Sequence, residues 1–134
     1  MAVTASAQWT DGERFITQAS SKHAIVVDSS SDKTANGPME LVLMALCSCT
    51  ATDVVSILKK KREPFTSLEV RANGERATEP PTVYTKIHLV YRVGGKVTHK
   101  AAEDAVQLSK NKYCSVSQML QNSVPITYEI EHID

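Results

Sequence analysis

The chain has no excess of charge of either sign. Fifteen Lys and Arg balance fifteen Asp and Glu over 134 residues, for a formal net charge of zero at pH 7. That balance leaves no electrostatic footprint for nucleic acid or for an anionic membrane, so neither partner is expected. Cysteine is scarce and odd in number, three in all, and its spacing is no disulfide framework. Internal repeats and low-complexity segments are missing. The start, MAVTASAQWTDGER, has neither a basic n-region nor an apolar h-region. No signal peptide is therefore expected, and the expected compartment is the reducing cytoplasm, where thiols stay free at rest. Long apolar runs are limited to one, LVLMALCSCTATDVVSIL at 41–58. It is barely long enough to span a bilayer, and Asp53 and several hydroxyls interrupt it, so it reads as a buried helix.

What is present fits one soluble globular domain over 1–134, with 42% hydrophobic and 22% charged residues. Segment 2–18 alternates weakly and turns at Asp11-Gly12, a hairpin signal. HAIVVD at 23–28 reads as a short β-branched strand, and SSSDKTANGP after it as a polar loop. A helix is expected from about Pro38 to Arg62. Pro38 suits the first turn, and Glu40 at the start with KKKR at 59–62 suits the helix dipole. Its first half is apolar nearly all round and must be covered on most sides. One small chain has little material for that, so a homodimer packed on this helix is expected. Strands follow at 66–76 and 83–93, joined by RATEPP, whose prolines argue against a tight hairpin. Gly94-Gly95 ends the second strand. A helix at 98–111 with Thr98 as N-cap, a short helix at 114–122 and a strand in VPITYEIEHI complete the order. Strands, long helix, strands, helices, strand define an α+β class.

The chemistry-bearing residues are the cysteines. Two residues apart on a helix point roughly 200° apart, so Cys47 and Cys49 can neither form a disulfide together nor chelate one metal. No His or Cys completes a zinc spacing, and no metal is expected. Cys47 reads as a small core hydrophobe. Cys49 has the small or polar neighbours Ser48, Thr50, Thr52 and Asp53. It reads either as packing or as a functional thiol, and a charged Asp53 at i+4 would raise its pKa. Cys114, in KYCSVSQML, sits where a short helix begins. It is either an ordinary buried residue or a thiol favoured by free backbone N–H groups. The histidines at 23, 88, 99 and 132 are scattered, and no Cys–His catalysis is expected.

Two motifs carry a resemblance. PMELVLMALCSCTATDVVSILKKKR, Pro38 to Arg62, resembles the central helix of the OsmC/Ohr family, nearest its YhfA-like branch. KYCSVSQML, Lys112 to Leu120, resembles the family's second cysteine motif. The resemblance covers most of the chain. It implies an α+β fold with antiparallel sheets around a long buried central helix, in an intertwined homodimer. It also implies a thiol peroxidase for organic and inorganic hydroperoxides that needs no cofactor. There the first cysteine attacks the peroxide and becomes a sulfenic acid. The second condenses with it to a disulfide, and a dithiol reductant resets the pair. Carried over, Cys49 is peroxidatic and Cys114 resolving. The family's activating arginine falls nearest Arg14. Its glutamate directly follows the helix-start proline, where this chain has Met39, with Glu40 one place later. The alternative is a non-peroxidatic dimer that binds a small apolar or thiol ligand at the subunit interface.

Overall fold

A computed structural model describes all 134 residues. They form two compact units, Met1–Val42 and Leu43–Asp134. The first holds an antiparallel meander of β1 (Ala5–Asp11), β2 (Arg14–Ala19) and β3 (Ala24–Asp28), in that order. The expected turn is at Gly12, whose φ of +53° is the left-handed conformation that favours glycine. The Trp9 indole N–H donates to the Gly12 carbonyl at 2.9 Å and closes the turn. This sheet has almost no core of its own. β1 is exposed along its whole length, as are Ile16, Ile25 and Val26.

After β3 the loop folds back on Asp28, which is 1% exposed. Its carboxylate accepts the backbone N–H groups of Ser30 at 2.8 Å and Thr34 at 3.0 Å, and the Thr34 hydroxyl as well. These bonds hold the carboxyl far below the usual carboxylate range.

Helix α1 runs Pro38–Lys60, close to the expected 38–62. The Gly37 carbonyl accepts the first helical bond, from Leu41 N–H at 3.1 Å. The Glu40 carboxylate reaches back to Gly37 N–H at 2.9 Å. Glu40 therefore supplies one half of a capping box, since Gly37 has no side chain to return the bond. At the far end Arg62 has φ +57°. Glu63 N–H bonds to Leu58 C=O and Arg62 N–H to Lys59 C=O, both at 3.0 Å, a Schellman ending without glycine. Within one chain, α1 fully buries a single stripe, Leu46, Thr50, Val54 and Leu58. The i, i+4 spacing places these on one face. The expectation of a helix buried all round is thus met on one side only by the single chain, and Met44 is 48% exposed.

In the second unit β4 (Phe65–Arg76) and β5 (Tyr84–Gly95) pair antiparallel through the loop at 77–83. The prolines lie in this wide connection, so the strands pair without a tight turn. β5 is the central strand and buries alternate residues, Ile87, Leu89, Tyr91 and Val93. It stops at Gly95, where φ is +96° and a Cβ would lie 2.5 Å from the Pro64 carbonyl oxygen. Helix α2 (His99–Leu108) starts at Thr98, whose hydroxyl accepts Ala101 N–H at 3.1 Å. Its buried face is Ala101, Ala102, Ala105 and Val106. A π-helical turn, Ser109–Tyr113, and helix α3 (Ser115–Leu120) follow.

The last strand, β6 (Ile126–Ile133), joins β5 in parallel. This corrects the expectation of purely antiparallel sheets. The segment from α2 through α3 is a crossover that returns the chain to the end of the sheet where β5 began, and such a return produces a parallel pair.

Candidate active site

The site is built in the second unit from α1, β5, the π turn and the start of α3. Cys49 is half-buried and Cys114 fully buried, and neither is in a disulfide. The fold places these two thiols close enough for each to perturb the other. Cys47 projects to the other side of α1. It lines a groove of about 530 Å³ with Leu43 and Met44 of its own helix and Leu68, Val70 and Ala72 of β4. Burial raises its pKa. The opposed directions of Cys47 and Cys49 are those helical geometry requires.

Cys114 is the N-cap of α3, and its Sγ accepts Ser117 N–H at 3.4 Å. Such a position suits either an ordinary buried residue or a thiol favoured by free backbone N–H groups, and burial decides between them. Burial pushes the Cys114 thiol up to about 11, and the Ser117 N–H only partly opposes it. The neighbouring Cys49 thiol, and negative charge at Cys49 and Asp53, push the same way. Cys114 is therefore held as a protonated thiol.

Beside the pair runs a chain of buried hydroxyls. Tyr91 OH lies 2.7 Å from Thr50 Oγ1, and Thr50 Oγ1 lies 2.7 Å from Ser109 Oγ. Ser109 Oγ donates to Asp53 Oδ2 at 2.9 Å. Burial pushes the Tyr91 phenol up to about 12, against the Thr50 hydrogen bond. Thr50 follows Cys49 directly, and the Ser109 carbonyl accepts the Cys114 N–H at 2.8 Å. The polar neighbours of Cys49 were visible in the sequence, but their partners Tyr91 and Ser109 were not. Ser109 lies in a stretch that reads as ordinary helix, and nothing local marks a π turn there. Asp53 also reaches a cavity of about 360 Å³ lined by Ile57, Lys60, Lys61, Leu108 and Tyr113.

The other two candidates belong to the first unit. Arg14 donates from Nη2 to Asp11 Oδ2 at 2.8 Å and from Nη1 to Thr34 Oγ1 at 3.3 Å, with Asp28 Oδ2 at 3.8 Å. The acids holding this arginine are Asp11 and Asp28. Glu40 instead caps α1 and lies 3.8 Å from the Lys33 ammonium. Three of the four histidines are engaged elsewhere. His88 bonds Thr127 and Glu129, and His99 stacks on His132 at 3.9 Å. No group of three or more His, Cys, Asp or Glu side chains is arranged to hold a metal.

A family model described as OsmC-like protein matches residues 30–129, and the chain belongs to that family. It is 43% identical to Protein YhfA of Escherichia coli K12 over 128 residues, 95% of this chain and 96% of that one. Among solved structures, a hypothetical protein from Aquifex aeolicus VF5 is 32% identical with a TM-score of 0.87, over 100% of this chain and 99% of that one. An organic hydroperoxide resistance protein from Elizabethkingia anophelis has a TM-score of 0.75 at 15% identity, over 99% of this chain and 97% of that one. At that identity the likeness is one of fold.

Proposed function

We propose that this protein is a thiol-dependent peroxidase that reduces organic and inorganic hydroperoxides through Cys49 and Cys114. The observation that carries the reading is the neighbouring thiol pair, one half-buried and one fully buried, in which Cys114 keeps its proton. A buried, protonated Cys114 is a poor first nucleophile, because the thiolate is the attacking species. That leaves Cys49, which is partly accessible, to attack.

The Cys49 thiolate attacks the outer peroxide oxygen and displaces the alkoxide. The S–O bond forms, the O–O bond breaks, and the alkoxide takes a proton and leaves as alcohol. The Cys114 sulfur then attacks the Cys49 sulfenic acid, and the hydroxyl leaves as water with the Cys114 proton. An external dithiol reduces the disulfide and is itself oxidised. No cofactor or metal takes part. The name of the Elizabethkingia fold neighbour, an organic hydroperoxide resistance protein, supports the same chemistry. Arg14, held by Asp11 and Asp28, is the proposed activating cation. Glu40, the other acid carried over from the resemblance, is proposed to act through the cap of α1.

The working unit is proposed to be a cytoplasmic homodimer of a single 1–134 domain. Only 22% of the apolar window of α1 is buried in one chain, although the helix is long and apolar enough to cross a membrane. The exposed Trp9, Ile16, Ile25 and Val26 on the first sheet need cover too. A second copy supplies both.

The test is peroxide consumption with a dithiol reductant. Wild type should turn over, Cys49→Ser should be inert, and Cys47→Ser should retain activity. An active Cys49→Ser protein overturns the reading. A second reading rests on the groove beside Cys47, which suits a small apolar or thiol-containing ligand. Native mass spectrometry showing a bound ligand together with thiols inert to peroxide would favour it.

A further inference from the structure

The buried hydroxyl chain has a fixed direction. A carboxylate only accepts hydrogen bonds, so the Ser109 O–H is committed to Asp53. Ser109 Oγ must then accept from Thr50, and Thr50 Oγ1 must accept from Tyr91, because each hydroxyl has one proton. The order is Tyr91 to Thr50 to Ser109 to Asp53, every bond at 2.7 to 2.9 Å. No buried side-chain polar atom of the protein is left unpaired.

Ser109 is the joint of this chain. It is 0% exposed. Its hydroxyl is tied to two residues of the helix carrying Cys49, and one of them, Thr50, is the next residue along. Its carbonyl takes the N–H of Cys114 at 2.8 Å, the bond that closes the π turn. The route from one cysteine to the other thus passes through one serine, by a hydroxyl on one side and a carbonyl on the other. An ordinary α-helical turn would bond this N–H to the next carbonyl instead, and Cys114 would sit differently against α1.

We propose that Ser109 is a positioning residue for the Cys49–Cys114 dithiol, holding the two sulfurs in reacting register through its tether to Thr50 and Asp53. The inference rests on the redox reading of this pair and names the device that aligns it. Effective concentration is the quantity such alignment controls, since a flexible pair loses much of the advantage of proximity.

The test is a redox titration of the intact protein against reduced and oxidised dithiothreitol, which gives the effective concentration of the Cys49–Cys114 pair. Thr50→Val keeps shape and loses the hydroxyl, Thr50→Ser keeps the hydroxyl, and Ser109→Ala removes the joint. Thr50→Val and Ser109→Ala should each lower the effective concentration about tenfold or more, and Thr50→Ser should stay near wild type. Three results overturn the proposal. One is an unchanged effective concentration with only a lower melting temperature. Another is equal loss in Thr50→Ser and Thr50→Val. The third is a wild-type protein that forms no Cys49–Cys114 disulfide. Should Ser109→Ala fail to fold, the two Thr50 variants carry the test. No peroxide enters the titration, so a protein inert to hydroperoxide fails the peroxidase reading and leaves this result standing.

Discussion

Cys114 and Cys49 are neighbouring thiols although one caps a six-residue helix and the other sits mid-way along a 23-residue one. The pair is asymmetric, because Cys114 is fully buried and Cys49 is not. Under the proposed mechanism that asymmetry divides the labour between them. Replacing Cys114 with Ser should leave the first peroxide reaction intact and strand Cys49 as a sulfenic acid, which a dimedone adduct on Cys49 would report. A dimedone adduct on Cys47 instead would contradict the assignment.

The raised Cys114 and Tyr91 groups set an alkaline limit on stability. The unfolded chain loses these protons near pH 9.0 and 10.0, whereas the folded protein keeps them to about 11 and about 12. Between those values the unfolded chain binds fewer protons, so stability falls as pH rises. Urea unfolding should give a midpoint that declines from about pH 9 upward. The decline should shrink in Cys114→Ser and Tyr91→Phe.

Asp28 works in the opposite direction. Its folded-state carboxyl is held far below the usual range by Ser30 and Thr34. Its contribution is present above the ordinary carboxylate range and is lost as pH falls through the folded value. Asp28→Ala should release the loop 29–36, and limited proteolysis there should quicken at neutral pH. Arg14→Ala removes a guanidinium held by the same carboxylate. It should slow peroxide consumption while leaving the oligomeric state intact.

Three substitutions probe α1. Glu40→Ala removes the carboxylate that accepts the Gly37 N–H and should cost about 1 kcal/mol. Leu58→Ala opens a cavity in a fully buried position and should cost about 2–5 kcal/mol. Met44→Glu puts a charge on the exposed apolar face of the helix. Analytical ultracentrifugation should find it shifted from dimer toward monomer.

The parts of the fold legible in the sequence were those with local signals. α1 announced itself by Pro38, its apolar length and its closing lysines. The Asp11-Gly12 turn, the Thr98 cap and the alternation in β5 were equally local. The parallel β6 was not legible, because YEIEHI alternates the same way in either pairing direction. The π turn at Ser109 depends on bonds to Thr50 and Asp53 far back in the chain. The raised Cys114 thiol is a consequence of burial, and a cap position visible in sequence says nothing of depth. Arg14 was legible as a candidate, but its carboxylates Asp11 and Asp28 were not, since the resemblance directs attention to the start of α1.

The central claim is that Cys49 and Cys114 form one redox couple that peroxide oxidises. One equivalent of an organic hydroperoxide should remove two of the three free thiols, and peptide mapping should find Cys49 joined to Cys114 with Cys47 still reduced. If all three thiols persist at a large excess of hydroperoxide, or the disulfide includes Cys47, the account is wrong.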